Sequence, residues 1–114
     1  MNNSSFNYVR THRRRYALSS RELAFLINQR AESAIAQFEA GDRVPNFEAA
    51  LALQVLFRQP PRHMFPGFYE SVEEGVMRRV AKLISMLEDE TDQRSVAKRE
   101  FLEGIAREDN DDGV

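Results

Sequence analysis

The residues best suited to chemistry in this sequence are arginines, and they are concentrated in its first part. Residues 1–66 carry nine arginines, no lysine and five acidic residues, whereas residues 67–114 carry seven basic and thirteen acidic residues. The guanidinium group is a planar fork that pairs well with phosphate oxygens and guanine edges. This distribution points to a nucleic-acid-binding part followed by an association segment, although acidic termini also serve solubility alone. The nine are Arg10, Arg13, Arg14, Arg15, Arg21, Arg30, Arg43, Arg58 and Arg62.

Catalytic chemistry has few suitable residues in this chain. The sequence contains no cysteine, which excludes thiolate nucleophiles, thiolate metal sites and disulfides. Its two histidines, His12 and His63, stand in no metal-ligand spacing and beside no pair of carboxylates. We therefore expect no enzyme activity, no cofactor and no metal.

Length and composition suit one compact domain with a helical extension. The chain has 114 residues, of which 42% are hydrophobic and 30% charged, a mixture typical of folded proteins. No run approaches the roughly 18 apolar residues that a membrane-spanning helix needs. The polar, arginine-rich N-terminus does not resemble a secretory signal, and the expected location is the cytoplasm.

Helical spacing and capping residues predict five helices in the first 66 residues and no strand. The first helix covers Phe6 to Tyr16, entered from Ser4 or Ser5, and the second starts at a capping box of Ser19 and Glu22. Asn28 suits the left-handed end of the second helix. The third helix, 33–40, ends at Gly41; a fourth, largely buried helix, 47–57, is capped by Asn46; and one turn of helix covers 62–65.

Two further helices are predicted beyond Pro66-Gly67, where we place the end of the first domain. The first covers 69–89 and carries a regular apolar stripe, and the second is amphipathic and ends near Arg107. The predicted organisation is therefore a domain over 1–66, a helical extension over 67–107 and an acidic disordered tail over 108–114.

Three segments carry a resemblance to a known family. They are Leu18-Ser-Ser-Arg-Glu-Leu-Ala24, Ser33-Ala-Ile-Ala-Gln-Phe-Glu-Ala-Gly41 and Arg43-Val-Pro45. Together they resemble the Cro and phage-repressor type of helix-turn-helix transcriptional regulators, also called the xenobiotic-response-element-like (XRE) family. The resemblance covers about residues 6–66 and implies an all-α, five-helix lambda-repressor-like domain. The chain departs from the usual pattern by one extra residue between Ala24 and Glu39 and by Asn28 in place of a turn glycine.

The resemblance implies sequence-specific binding of double-stranded DNA by helix 33–40 in the major groove. Ile35 and Phe38 would anchor this helix, so that its polar side can meet base edges, and Gln37 suits adenine as Glu32 suits cytosine. The alternative for each exposed residue is an ordinary solvated side chain. The implied roles are base reading for Glu32, Ser33, Ala34 and Gln37; phosphate contact for Ser19, Ser20, Arg21, Arg30 and Arg43; and a structural ion pair between Arg13 and Glu39.

The apolar stripes beyond residue 67 leave two possibilities open, namely folding back on the first domain or pairing with a second copy. We favour a homodimer, because one domain of this size buries little DNA surface and two-fold pairing doubles it. The resulting hypothesis is a transcriptional regulator, a repressor rather than an activator. The alternative is an antitoxin-type or adaptor protein whose C-terminal helices bind a protein partner. The expected dimerisation residues are Val72, Val76, Val80, Leu83, Leu87 and Phe101.

Overall fold

The computed structural model describes residues 6–112, with side chains to residue 109, and this part of the chain is all-helical. Its seven helices are α1 (Val9–Arg15), α2 (Ser20–Leu26), α3 (Ser33–Ala40), α4 (Phe47–Phe57), α5 (Pro61–Met64), α6 (Pro66–Met86) and α7 (Gln93–Asp112). None of these helices combines the length and the apolar character that crossing a bilayer requires.

The chain divides into two compact units, one running to Ser71 and the other starting at Val72. The division falls within α6, shortly after the boundary that we placed at Pro66-Gly67. Pro66 is itself the first residue of α6, since proline lacks only a backbone donor that a first helical residue leaves unused.

The core of the first unit gathers apolar side chains from α1 to α5 and the turn after α2. Its largest fully buried side chains are those of Val9, Leu23, Ile27, Ile35, Phe38, Leu53 and Met64. The backbone N–H of Tyr8 donates to the carbonyl of Met64 at 2.9 Å, which joins the start of α1 to the end of α5. Arginine-rich α1 is therefore held against the core by the buried Val9 and by this backbone hydrogen bond at its start.

Stacked rings add to the packing between α1 and α4. The His12 ring stacks on Phe57 with a centroid distance of 5.4 Å, and the Tyr16 ring lies 6.1 Å from Phe57. His12 Nδ1 is buried and makes no hydrogen bond within the described residues. Burial, followed by the charge of Arg15, lowers the pKa of His12 below its ordinary value.

Helix α4 differs from the largely buried helix that its composition predicts. Ala49, Leu53 and Phe57 are buried, whereas Phe47 is 79% exposed, Val55 is 68% exposed and Leu51 lies exposed between them. The first unit is too small to cover a helix on all sides, so one apolar stripe of α4 faces solvent.

Several predicted helix ends also differ, and α6 covers Pro66–Met86 rather than 69–89. The first helix begins at Val9 rather than Phe6, and the cap predicted at Ser4 or Ser5 lies outside the described residues. Residues 108–112, predicted to be disordered, continue α7 to Asp112. Arg, Glu and Ala in the preceding turns are helix formers, and the next glycine or proline after Gly104 is Gly113.

In the second unit, α7 runs back along α6. The guanidinium of Arg99 donates to the carbonyls of Leu87 and Glu90, which lie just beyond the end of α6. Near the other end of α7, Asp109 lines an open concavity with Glu73 and Met77. Val80 and Leu102 are buried in this unit, as is Ser95.

Candidate nucleic-acid interface

Helix α2 and the turn that follows it determine the orientation of α3. The Ser19 hydroxyl accepts the N–H of Glu22 at 3.0 Å while the Glu22 carboxylate accepts the N–H of Ser19 at 2.8 Å, which is the predicted capping box. Asn28 takes the left-handed conformation, with φ of 59°. The N–H of Gln29 then reaches the carbonyl of Ala24 at 2.8 Å, a Schellman closure that ends α2 without glycine.

Helix α3 has one buried side and one exposed side. Ala34, Ile35 and Phe38 lie in the core. The exposed side carries Glu32 just before the helix and then Ser33, Ala36, Gln37 and Ala40. This arrangement has the anchored and open sides that the sequence predicts for 33–40.

The expected outward projection of Ala34 is wrong. Its side chain is only 5% exposed, next to the fully buried Ile35. A helix presents one side at spacings of three and four residues, so Ala34 shares the side of Phe38 rather than that of Ser33 and Gln37. Ala34 cannot contact a base from this position.

Ala36 and Ala40 belong to the exposed side and were missed. Each lies three residues after Ser33 or Gln37, so helical spacing alone places them on that side. Alanine offers no polar group that would indicate a binding role. Its small size keeps this side of α3 shallow, and its methyl group suits contact with thymine methyls.

The C-terminal end of α3 is closed by Gly41 in the left-handed conformation, with φ of 79°. The carbonyl of Gln37 accepts the N–H groups of Asp42 at 3.0 Å and Arg43 at 3.3 Å. The guanidinium of Arg43 lies 5.6 Å from the centre of the Phe38 ring, a cation–π distance. Arg43 is therefore held beside the end of α3 while remaining exposed.

Glu39 joins α3 to α1. Its Oε2 accepts Arg13 Nε at 2.6 Å, its Oε1 accepts Arg13 Nη2 at 3.1 Å, and Arg10 Nε donates to Oε1 at 3.2 Å. Burial alone would raise the pKa of Glu39, but the hydrogen bonds and charges of Arg13 and Arg10 outweigh it and lower the pKa. Arg13 Nη1 also donates to the carbonyl of Leu18 at 3.0 Å, so one side chain links α1, the approach to α2, and α3.

Three of the predicted site residues line one open concavity beside the start of α3. Arg21, Arg30 and Glu32 border it together with Phe25, whose ring is 82% exposed. No role was predicted for Phe25, although helical spacing places it away from the buried Leu23 and Ile27. Arg43 is not among the residues that border this concavity.

Ser19 and Ser20 stand at the start of α2, but the local charge there is mixed. The Glu22 carboxylate is fixed next to Ser19, and hydrogen bonds with Ser19 lower the pKa of Glu22. A phosphate near Ser19 would therefore meet an anion, while the hydroxyl hydrogen of Ser19 stays able to donate. Arg21 is exposed one residue before Glu22 and supplies the compensating charge.

Comparison with known proteins finds no matching protein-family model, no matching curated sequence and no matching solved structure. Among the described residues, no three histidine, aspartate or glutamate side chains gather into a group that could hold a metal ion.

Proposed function

We propose that this chain is a sequence-specific double-stranded DNA-binding protein in which α3 enters the major groove. In this proposal α1 to α5 form a five-helix, helix-turn-helix domain, with α2 and α3 as the helix pair. The observation that carries it is the division of α3 into a buried side of Ala34, Ile35 and Phe38 and a shallow polar side.

The exposed side of α3 has the chemistry that base edges require. Gln37 offers one donor and one acceptor group on a single amide, which matches the paired donor and acceptor of adenine. Ser33 and Glu32 add hydroxyl and carboxylate acceptors near the start of the helix, where family members of this type make base contacts. Ala36 and Ala40 let the helix approach the groove closely.

Rigidity of α3 supports the same function, since base reading needs side chains held in place. Each helix of the α2–α3 pair is closed at its C-terminal end by a left-handed residue, Asn28 after α2 and Gly41 after α3. Glu39 is tied to Arg13 and Arg10, and Asn7 Nδ2 donates to the carbonyl of Phe38 at 2.9 Å. The reading side of α3 therefore cannot rotate without breaking contacts to α1.

Phosphate contacts are assigned to groups that flank α3. Arg21 and Arg30 stand beside its start and Arg43 stands beside its end, and all three are exposed. Ser19 and Ser20 add hydroxyl donors at the start of α2. Excess positive charge over residues 1–66 provides the sequence-independent part of the attraction.

Repression is the favoured regulatory outcome. A small protein that occupies a promoter site blocks other proteins by steric exclusion and needs no additional contact, whereas activation needs a surface that recruits the transcription machinery.

The decisive experiment is selection of bound duplexes from a random pool by the full chain, followed by titration of a selected duplex at several salt concentrations. We expect an enriched motif. The logarithm of the binding constant should fall linearly with the logarithm of the salt concentration, with a slope that corresponds to several neutralised phosphates. An adaptor protein built on the same scaffold would enrich no motif and would show no salt-dependent binding to duplex DNA. That result would overturn the proposal.

A further inference from the structure

The second unit leaves one apolar stripe of α6 open to solvent. Val80 is buried and Met77, Ile84 and Leu87 are half-buried, whereas the neighbouring stripe is exposed. The exposed stripe consists of Val72, Val76, Leu83 and Met86, which recur at the three-, four- and seven-residue spacing of one helix side. Of the residues expected at a dimer contact, Val80 is instead buried within the unit and Leu87 is half-buried.

Helix α7 adds Phe101 to the same side of the hairpin. Phe101 directly precedes buried Leu102 and is 67% exposed. Since α7 runs antiparallel to α6, a residue one position before the buried stripe of α7 falls on the side that Val76 and Leu83 occupy on α6. Because the Arg99 guanidinium contacts the Leu87 carbonyl, Phe101 lies at the level of the last turns of α6. We call Val72, Val76, Leu83, Met86 and Phe101 the hairpin face.

The hairpin face is large enough to form a specific protein interface. Its five members are each between 40% and 67% exposed. Side chains of this size leave several hundred Å² of apolar surface open, the upper range for monomers. A two-fold contact that buries this area on both copies, with its rim, reaches the roughly 1,000 Å² expected of a specific interface.

Charged residues of both signs lie beside the hairpin face, which suits it to pairing with itself. Arg79 lies on the exposed stripe between Val76 and Leu83, with its guanidinium over Gly75, and Glu108 occupies the Phe101 side of α7. Neither has an ion-pair partner within the described residues. If α6 packed on α6 of a second copy, Arg79 would meet Arg79; if α6 packs on α7 of that copy, Arg79 meets Glu108.

The geometry points to a homodimer in which the hairpin face binds the same face of a second copy, α6 against α7, and closes a four-helix bundle. The hairpin face contains no residue of α3, so the proposed dimer does not depend on whether the chain binds DNA. Two such copies would present two α3 helices related by a two-fold axis.

Sedimentation of the full chain at micromolar concentration tests the proposal, with circular dichroism confirming that each variant is helical. We expect twice the chain mass for the wild type, and at least a tenfold weaker dimer for Val76→Lys and for Phe101→Lys. The matched control is Val55→Lys, because Val55 is similarly exposed but lies on α4. A wild-type monomer would overturn the proposal and leave the face for a different protein partner. A dimer that only Val55→Lys dissociates would overturn it in favour of α4.

Charge exchange tests the pairing of α6 with α7. Arg79→Glu and Glu108→Arg should each weaken the dimer, and the two together in one chain should restore it. Two single variants that have no effect, or a combined variant that remains weak, would contradict the α6-to-α7 arrangement.

Discussion

Glu39 on α3 and Arg13 on α1 form a two-pronged ion pair, with Nε–Oε2 and Nη2–Oε1 distances of 2.6 and 3.1 Å. The Glu39 side chain is 2% exposed and that of Arg13 13% exposed. A carboxylate so buried is tolerated only when it is paired and hydrogen-bonded, so the orientation of α3 depends on α1.

Removing the carboxylate should therefore destabilise the fold strongly. For Glu39→Ala we expect the free energy of unfolding to fall by about 3 kcal/mol, because the guanidinium of Arg13 loses its partner while still largely buried. Urea denaturation followed by circular dichroism measures this loss. Glu48→Ala, which removes an exposed acid on α4, should change the free energy by no more than about 0.5 kcal/mol. Equal, small losses from both would show that the pair contributes nothing.

The same pair predicts acid sensitivity. The folded state lowers the pKa of Glu39, so the stability that it contributes is complete above the ordinary value of 4.5. That contribution is lost as the pH falls below 4.5 and through the folded-state pKa. Urea midpoints between pH 6 and pH 3 should drop more steeply for the wild type than for Glu39→Gln, which cannot titrate. Parallel curves would contradict the prediction.

His12 predicts a second pH dependence at a higher pH. Its folded-state pKa is lowered, so the unfolded chain takes up a proton first, and stability falls as the pH drops below the ordinary value of 6.5. His12→Phe keeps a ring against Phe57 and removes the titration. Its thermal midpoint should therefore change less between pH 7.5 and pH 5.5 than that of the wild type. His63→Gln, at an exposed position, should retain the wild-type slope.

Ala17 should be a site of easy stabilisation. It has φ of 58° and closes α1 in a left-handed conformation, with its N–H on the carbonyl of Arg14 at 3.1 Å. A Cβ is unfavourable there by roughly 1 kcal/mol, and glycine has none. Ala17→Gly should therefore raise the free energy of unfolding, whereas Ala97→Gly, on the exposed side of α7, should lower it by about 0.5–1 kcal/mol. Destabilisation by both would refute this account.

Substitutions of Gln37 and of Arg43 should affect sequence-specific and unspecific DNA binding differently. Gln37→Ala should weaken binding to the selected duplex about tenfold or more and leave random duplex almost unaffected, because it removes the proposed base contact, worth about 1–3 kcal/mol. Fluorescence anisotropy with both duplexes measures the difference. Gln54→Ala on α4 is the matched control.

Arg43→Ala should weaken both duplexes alike and reduce the salt slope by about 1, because it removes one proposed phosphate contact. Arg62→Ala on α5 is the control for loss of a positive charge elsewhere in the first unit. If Gln37→Ala and Arg43→Ala weakened both duplexes to the same extent, α3 would not be reading sequence.

Local features of the site could be predicted because their causes lie within a few residues. The Ser19–Glu22 capping box, the Asn46 cap and the left-handed Gly41 each depend on short-range hydrogen bonds and backbone sterics. The bounds 33–40 and 47–57 followed from these signals and are confirmed. The start of α1 at Val9 involves a local bond, from the Val9 N–H to Asn7 Oδ1 at 3.2 Å, and a tertiary bond from Tyr8 to Met64.

By itself the sequence determined the bounds of α3 and α4 and the start of α2, because capping and helical spacing act between neighbours in the chain. Only the tertiary structure decided which apolar residues are covered. The stripe from Phe47 to Val55 stayed open, although the composition of α4 predicts a largely buried helix. The physical reason is that a side chain is buried only where other parts of the fold supply surface to cover it. Its apolar character gives only a preference for burial.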